Sequence, residues 1–404
     1  MIPQYVDMGK WAVIACDQFS AQPDYWKELE EKIGAAPSTM KMILPEVYLQ
    51  KDNSERIAKI NHTMRNYLRG GILKESECFV LTERTFPNGK KRLGLVVTID
   101  LNEYEYLWRT RPIRATEKTI KDRIPPRMQI RQDAPMEVSH ILLLMDDRKK
   151  SIIEPLYAKR EEYKKLYDFD LNMGGGHIVG YEIKETDDII KSFDALLDPE
   201  LQMEKYGCNA KVEFVVGDGN HSMATAKDHW RYLKRDLSRT LRARHPARFA
   251  LVEVANLYDE DLTFEPINRV VFDCKEDLIE EIKTRLSITE DQATEKTSDV
   301  TLLADGKEIK ITVPLPAGKT IKIVQDYLDQ LVRRHACRVE YVHGYEHTVD
   351  VAKNNGIGIF MPIFEKEELF DYVIHEGVLP KKSFSIGTAE SKKYYIEAKK
   401  IVFK

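Results

Sequence analysis

VEFVVGDGNHSMATAKDHWRYLKRDL, residues Val212 to Leu237, changes its hydrophobic period within five residues. Val212, Phe214 and Val216 alternate with Glu213 and Val215, the pattern of a short buried strand, whereas Met223, Ala226, Trp230, Leu233 and Leu237 recur at helical spacing. The switch falls on Asp218, Gly219, Asn220, His221 and Ser222. A glycine-centred turn from strand into helix leaves the first helical N–H groups without intrahelical acceptors, at the end where the helix dipole favours an anion. The turn therefore reads as a phosphate cradle, with Asp218 as base or metal ligand and His221 as acid, base or phosphate contact. Spacing alone supports a plainer reading equally well, because Asp or Ser ahead of a helix is usually a cap and Asp-Gly is a common turn.

Three stretches in order, WAVIACDQFS (Trp11 to Ser20), GDGNHSMATAK (Gly217 to Lys227) and GVLPKKSFSIGTAESKKYYIEAKKI (Gly377 to Ile401), resemble the prokaryotic family catalogued as domain of unknown function 1015. The resemblance runs over nearly the whole chain. Members often carry Asp-Gly-His-His-Arg or Asp-Gly-Asn-His-Ser at the turn, and the first form is similar to the phosphate-handling turn of archaeal free-serine kinases, relatives of ParB partition proteins and sulfiredoxin. Asp218, Gly219 and His221 match that form, whereas Asn220 and Ser222 depart from it and the arginine fork is lost. The resemblance also singles out Asp17 and Gln18, Arg114 and Glu117 in RATE, Arg269, where a histidine often stands in place of Asn268, and the Lys382-Ser383 loop. It implies magnesium and an adenine nucleotide as cofactors.

Composition bounds the function classes. The 404 residues suffice for two or more cores, and 43% hydrophobic with 32% charged residues fits a globular protein with a well-charged surface. Lys plus Arg number 62 against 66 Asp plus Glu, a net charge of -4, so there is no global basic field for nucleic acid or an acidic membrane. A small-molecule partner is the expectation. No apolar run approaches bilayer-spanning length and MIPQYVDMGKW lacks signal-peptide design, which makes the cytoplasm the expected compartment. Cys16, Cys78, Cys208, Cys274 and Cys337 are scattered without a CxxC pair, arguing against a disulfide framework or structural zinc.

Along the chain, Ile57, Ile60, Met64 and Leu68 mark an amphipathic helix, and ECFVLTERT and KRLGLVVTIDL flank PNGK as a hairpin. VSHILLLMDD and RFALVEVANLYDE read as interior strands, so the central turn and helix sit in a strand, helix, strand unit; were its strands parallel, a ligand crevice would open at their carboxyl ends. Lys159 to Tyr167 reads as a charged helix, and GGGH at Gly174 to His177 as a flexible turn rather than a nucleotide loop. His343 and His347 are four apart but lack a third metal ligand, and no metal site is assigned.

The expected fold is α/β to α+β, a mixed sheet with flanking helices and a smaller α+β subdomain. The expected regions are 1–135, an N-terminal α+β part; 136–274, the central α/β part with the turn; and 275–404, an α+β part whose tail returns to the site. The expected function is a phosphate-handling enzyme on a small polar metabolite, with free-serine kinase or phosphoserine-processing chemistry as its specific form. Asp218 and His221 would be catalytic, and Gly219, Asn220, Ser222, Arg114, Glu117, Arg269, Lys382, Ser383, Asp17 and Gln18 would bind phosphate or substrate. The alternative is a non-catalytic nucleotide- or metabolite-binding regulator with a ParB-like fold.

Overall fold

The computed structural model describes residues 1–14, 19, 22–45, 48, 52–107, 111–120 and 123–403. It divides into two compact units, Met1–Leu262 with Thr388–Lys404, and Thr263–Gly387. The fold is mixed α/β.

The first unit is built on a nine-stranded sheet. In chain order its strands are β1 (Phe79–Thr85), β2 (Lys91–Asp100), β3 (Tyr104–Glu105), β4 (Ile113–Arg114), β5 (Leu142–Met145), β6 (Lys164–Leu171), β7 (Gly176–Ile183), β8 (Phe214–Asp218) and β9 (Phe249–Asn256). Across the sheet they run β6-β7-β1-β2-β9-β5-β8-β4-β3. The hairpin expected around PNGK is β1 with β2, paired antiparallel from Val80↔Val96 to Thr85↔Lys91. Gly89 closes it at φ 81°, a left-handed conformation that glycine adopts without steric penalty.

Helix α1 (Ser54–Arg69) buries Ile60, Met64 and Tyr67 on its apolar stripe. Helix α2 (Ile124–Arg131) opens with Pro125 in its first turn, where a missing N–H costs little. Helix α3 (Asn220–Leu233) follows β8 and buries Met223, Ala226 and Trp230, the positions its spacing picked out. These residues pack with Val216, Val254 and Leu143 in the core against the sheet.

Three sequence expectations change. β8 and β9 are not parallel neighbours: β5 lies between them, antiparallel to β8 and parallel to β9, so the parallel crossover rule does not govern this unit. The parallel partner of β8 is β4, with Phe214↔Ile113 and Val215↔Arg114 in register. The VSHILLLMDD run is broken at Ser139 and His140 into Met136–Val138 and β5. Lys159 to Tyr167 is not a helix but a short 3-10 turn at Arg160–Glu162 leading into β6, whose charged residues occupy the outer edge of the sheet.

The second unit centres on an antiparallel sheet containing β10 (Phe264–Phe272), β11 (Ser298–Ala304), β12 (Lys307–Val313), β13 (Arg338–His343) and β14 (Ile357–Phe360), ordered β12-β11-β14-β10-β13. Phe384–Ile386 adds to the start of β10. Helix α4 (Leu278–Leu286) and helix α5 (Ala317–Arg333) pack together, and α5 buries Ile321, Val324, Leu328 and Leu331. His343 ends β13 while His347 lies on helix α6 (Tyr345–Ala352), and among the described residues no group of three metal-ligating side chains is arranged to hold an ion. Among the described residues no helix is long and apolar enough to cross a membrane. Cys78, Cys208, Cys274 and Cys337 are free thiols.

Candidate functional site

The strand-to-helix turn is built around Gly219, which takes φ 84° and ψ 25° as the N-cap of α3. A Cβ there would lie 3.0 Å from Ile141 Cγ1 and 3.1 Å from Ile141 Cα. Both the left-handed backbone and the close approach of a neighbouring chain segment therefore require glycine. The first i→i−4 bond of the helix is Met223 N–H to Gly219 O at 2.9 Å, so the helix supplies no acceptor to the preceding Asn220 and Ser222 N–H groups.

Asp218 ends β8 with its carboxylate turned back on the bend. Oδ1 accepts from Gly219 N–H at 2.7 Å, and Oδ2 lies 3.3 Å from Lys392 Nζ. The lysine comes from the tail, whose backbone is gripped by buried Arg84. Its guanidinium donates to the carbonyls of Glu390, Ser391 and Lys392 and also to Gly175 O at 3.0 Å. Arg92 Nη1 adds a bond to Ser391 O at 3.0 Å. Burial, with Arg92 as a like-charged neighbour, brings Arg84 down to about 9.

A loop after β4 covers the other side of the turn. Thr116 Oγ1 donates to Val216 O at 2.6 Å, Asn220 Nδ2 donates to Thr116 Oγ1 at 3.2 Å, and Thr116 N–H donates to Asn220 Oδ1 at 3.3 Å. Ile120 N–H donates to His221 Nε2 at 3.2 Å. Nε2 is the acceptor in that bond. Glu117 is half-buried in the same loop. Arg114, paired in register with Val215, donates to two backbone carbonyls, Nε to Arg111 O at 3.2 Å and Nη2 to Ala210 O at 2.5 Å.

The second unit holds the other nominated cations. Arg269 is fully buried; Nε donates to Gln325 Oε1 at 3.0 Å, Nη2 to Lys382 O at 2.9 Å, and Nη1 to Ile267 O. Ser383 is buried with Oγ donating to Pro380 O at 2.8 Å. Arg269, Lys382 and Ser383 thus meet within one loop-and-strand cluster, where Arg269 fixes the Lys382 backbone. Asp17 and Gln18 lie outside the described residues.

Sequence reasoning missed Lys392, Thr116 and Ile120, which contact the turn directly. It also missed Lys227 at the end of the GDGNHSMATAK stretch, whose buried ammonium donates to Leu101 O and Tyr104 O, each at 2.7 Å. Burial lowers this lysine to about 8. The sequence signal for Lys392 was present in the ESKKYY segment, but the earlier lysine pair, Lys381 and Lys382, drew the assignment.

Chemically, the turn offers one carboxylate beside an ammonium, one imidazole, and helix-start amides facing the same bend. Asp218 is the residue that would hold magnesium, with phosphate oxygens and water completing the shell, as that ion usually requires.

The signature described as "Protein of unknown function (DUF1015)" matches residues 3–331, and the chain belongs to that family. Among solved structures it is similar to a free serine kinase in complex with AMP, at 11% identity and TM-score 0.42, covering 76% of this chain and 92% of that one. A complex of a free serine kinase variant with ADP gives 10% identity and TM-score 0.42 over the same shares. A conserved hypothetical protein from Pyrococcus furiosus gives 11% identity and TM-score 0.37, covering 74% and 90%. Likeness at this level assigns no activity. No curated protein matches the chain.

Proposed function

We propose that the protein is a cytoplasmic phosphate-handling enzyme acting on a small polar metabolite, with free-serine kinase or phosphoserine-processing chemistry as its specific form. One observation carries this reading: Asp218, with Lys392 at 3.3 Å, borders the same Gly219 bend that starts α3. Phosphoryl transfer is mostly positioning and electrostatic stabilisation, and this bend supplies both. Asn220 and Ser222 N–H groups hold phosphate oxygens, and Lys392 offsets their charge. Asp218 serves as general base toward a hydroxyl or as ligand to magnesium. His221 joins these amides as a phosphate contact. An adenine nucleotide is the phosphoryl donor or acceptor.

The test is turnover. Purified protein is incubated with serine or phosphoserine, magnesium and ATP, ADP or AMP, and phosphate transfer is followed. Transfer that falls in Asp218→Ala and His221→Ala, with both variants folded, supports the reading; unchanged rates remove these residues from the mechanism. A second reading, a metabolite-binding regulator with a ParB-like fold and no turnover, is favoured by the bond of Ile120 N–H to His221 Nε2, which occupies a nitrogen that an acid-base catalyst uses. Saturable nucleotide binding without transfer under any of these conditions selects it.

A further inference from the structure

Strands β10 and β13 of the second unit pair antiparallel as far as Phe272↔Arg338. Beyond that pair the register slips by one residue, because the next bond runs from Lys275 N–H to Ala336 O at 3.2 Å. The extra residue is Asp273, exposed and at φ 56°, which bulges out of the ladder. The slip puts Cys274, not Asp273, across from Cys337. On the opposite segment the exit from α5 is fixed as well, since His335 takes φ 53° and Ala336 N–H donates to Leu331 O at 2.9 Å.

Residues directly opposite one another on an antiparallel pair have Cα atoms about 4.5–5.5 Å apart and side chains on one face. A disulfide spans Cα separations of about 4.4–6.8 Å, so these two thiols are joined with the backbone left where it is. Their surroundings agree. Burial first, then the charges of Cys274 and Glu276, push the Cys337 thiol up to about 11. Tyr327 of α5, whose hydroxyl donates to Glu276 Oε2 at 3.0 Å, is raised by burial, then by Glu276, Glu281 and Cys274. Both sulfurs thus share the neighbourhood of the Tyr327–Glu276 pair. Both thiols are free and half-buried, open to a small oxidant.

We propose that Cys274 and Cys337 form a reversible disulfide, a redox-sensitive modification site that clasps the end of β10 to the start of β13 and closes the chain around α4, β11, β12 and α5. The inference does not rest on the phosphate-handling reading. The oxidant is a small-molecule disulfide. The Cys274 thiolate attacks one of its sulfurs, forming a mixed disulfide and expelling one thiolate; Cys337 then loses its proton to water, attacks the Cys274 sulfur and expels the second thiolate. Two protein thiols are oxidised and one disulfide is reduced to two thiols. The raised Cys337 thiol suits the second role, because a low thiolate fraction slows capture of an oxidant from solution but is offset by proximity once Cys274 carries the mixed disulfide.

The test exposes full-length protein, reduced and freed of reductant, to oxidised glutathione at about pH 8, where thiolate is more abundant than at neutrality. Remaining thiols are alkylated and the digest is mapped by mass spectrometry without reduction. The expected result is a peptide pair joined through Cys274 and Cys337, two of the five thiols lost, and both regained with dithiothreitol. The linked form is expected to unfold at a higher urea midpoint than the reduced form, a gap that Cys274→Ser and Cys337→Ser each abolish. Glutathione adducts on both cysteines with no link between them, pairing of either with Cys78 or Cys208, a link that forms only in urea, or a link that leaves the midpoint unmoved would each overturn the proposal. Should the serine variants fail to fold, the peptide map and the two midpoints of the unmodified chain still decide.

Discussion

Lys392 Nζ lies 3.3 Å from Asp218 Oδ2, the lysine side chain 13% exposed and the carboxylate 36%. A tail residue thus sets the charge balance at a turn far away in sequence. The pair is neither fully buried nor freely solvated, so its worth to stability is modest and its worth to a bound phosphate is larger. Lys392→Met is expected to lower phosphoryl transfer by about 10–100-fold, the loss usual for one stabilising charge, with little change in thermal unfolding. Steady-state kinetics with Lys392→Arg as the charge-keeping control checks this. Equal kcat/KM in Lys392→Met and the unmodified chain would take the lysine out of the site.

Gly219→Ala tests the bend itself. It meets two penalties, a left-handed φ and the approach of Ile141 Cα at 3.1 Å, where Gly71 at φ 69° has nothing within 4 Å. Gly71→Ala therefore carries the backbone cost alone, about 1 kcal/mol, whereas Gly219→Ala adds steric overlap for a total of about 2–4 kcal/mol. Urea unfolding of both variants measures the difference. Equal midpoints would mean that Ile141 yields without cost.

The bend and the hairpin were legible because each is a local event. Asn88-Gly89 between alternating runs and the change of period at Asp218 depend only on neighbours in sequence, and both stand in the structure. Lys392 lay in a family-like stretch, but its place beside Asp218 depends on Arg84 and Arg92 holding the Glu390–Lys392 backbone, a contact between distant segments that does not show in the sequence. Lys159 to Tyr167 was misread as a helix for another reason: its last residues enter an edge strand, Lys164–Leu171, which is paired on one side only and whose exposed charges imitate those of a surface helix. Arg114 and Arg269 each place guanidinium nitrogens on backbone carbonyls, contacts between separate segments that no local motif encodes.

Lys393, next to the site lysine, serves the core. It is 3.0 Å from Glu253 Oε2 and 3.6 Å from Glu397 Oε2, with all three side chains buried. Burial alone would raise the Glu253 carboxyl, yet Lys393 and Arg92 outweigh it and hold it at about 2. Removing the ammonium takes the ion-pair partner from both buried carboxylates, with Arg92 still acting on Glu253, and Lys393→Met is expected to cost about 3–5 kcal/mol. Differential scanning calorimetry at neutral pH checks this. An unfolding temperature unchanged by the substitution would show that the pair is solvated.

His229 predicts acid sensitivity. It is buried on α3, Nδ1 has no hydrogen-bond partner among the described residues, and burial first, then the Arg131 charge, lower it to about 4 from 6.5. Glu137 and Asp133 act in the opposite sense and His245 in the same one. Because the folded value lies below the unfolded one, the unfolded chain binds the extra proton between these limits. The stability contribution is complete above pH 6.5 and is lost as pH falls toward 4, about 3 kcal/mol in all and about 2 kcal/mol by pH 5. Glu253 loses its own contribution at lower pH, between about 4.5 and 2, so the two windows separate. Urea unfolding at pH 7.5 and pH 5 should therefore show the unmodified protein losing about 2 kcal/mol more than His229→Gln, which has no proton to gain. Parallel losses in the two proteins would place the titration elsewhere.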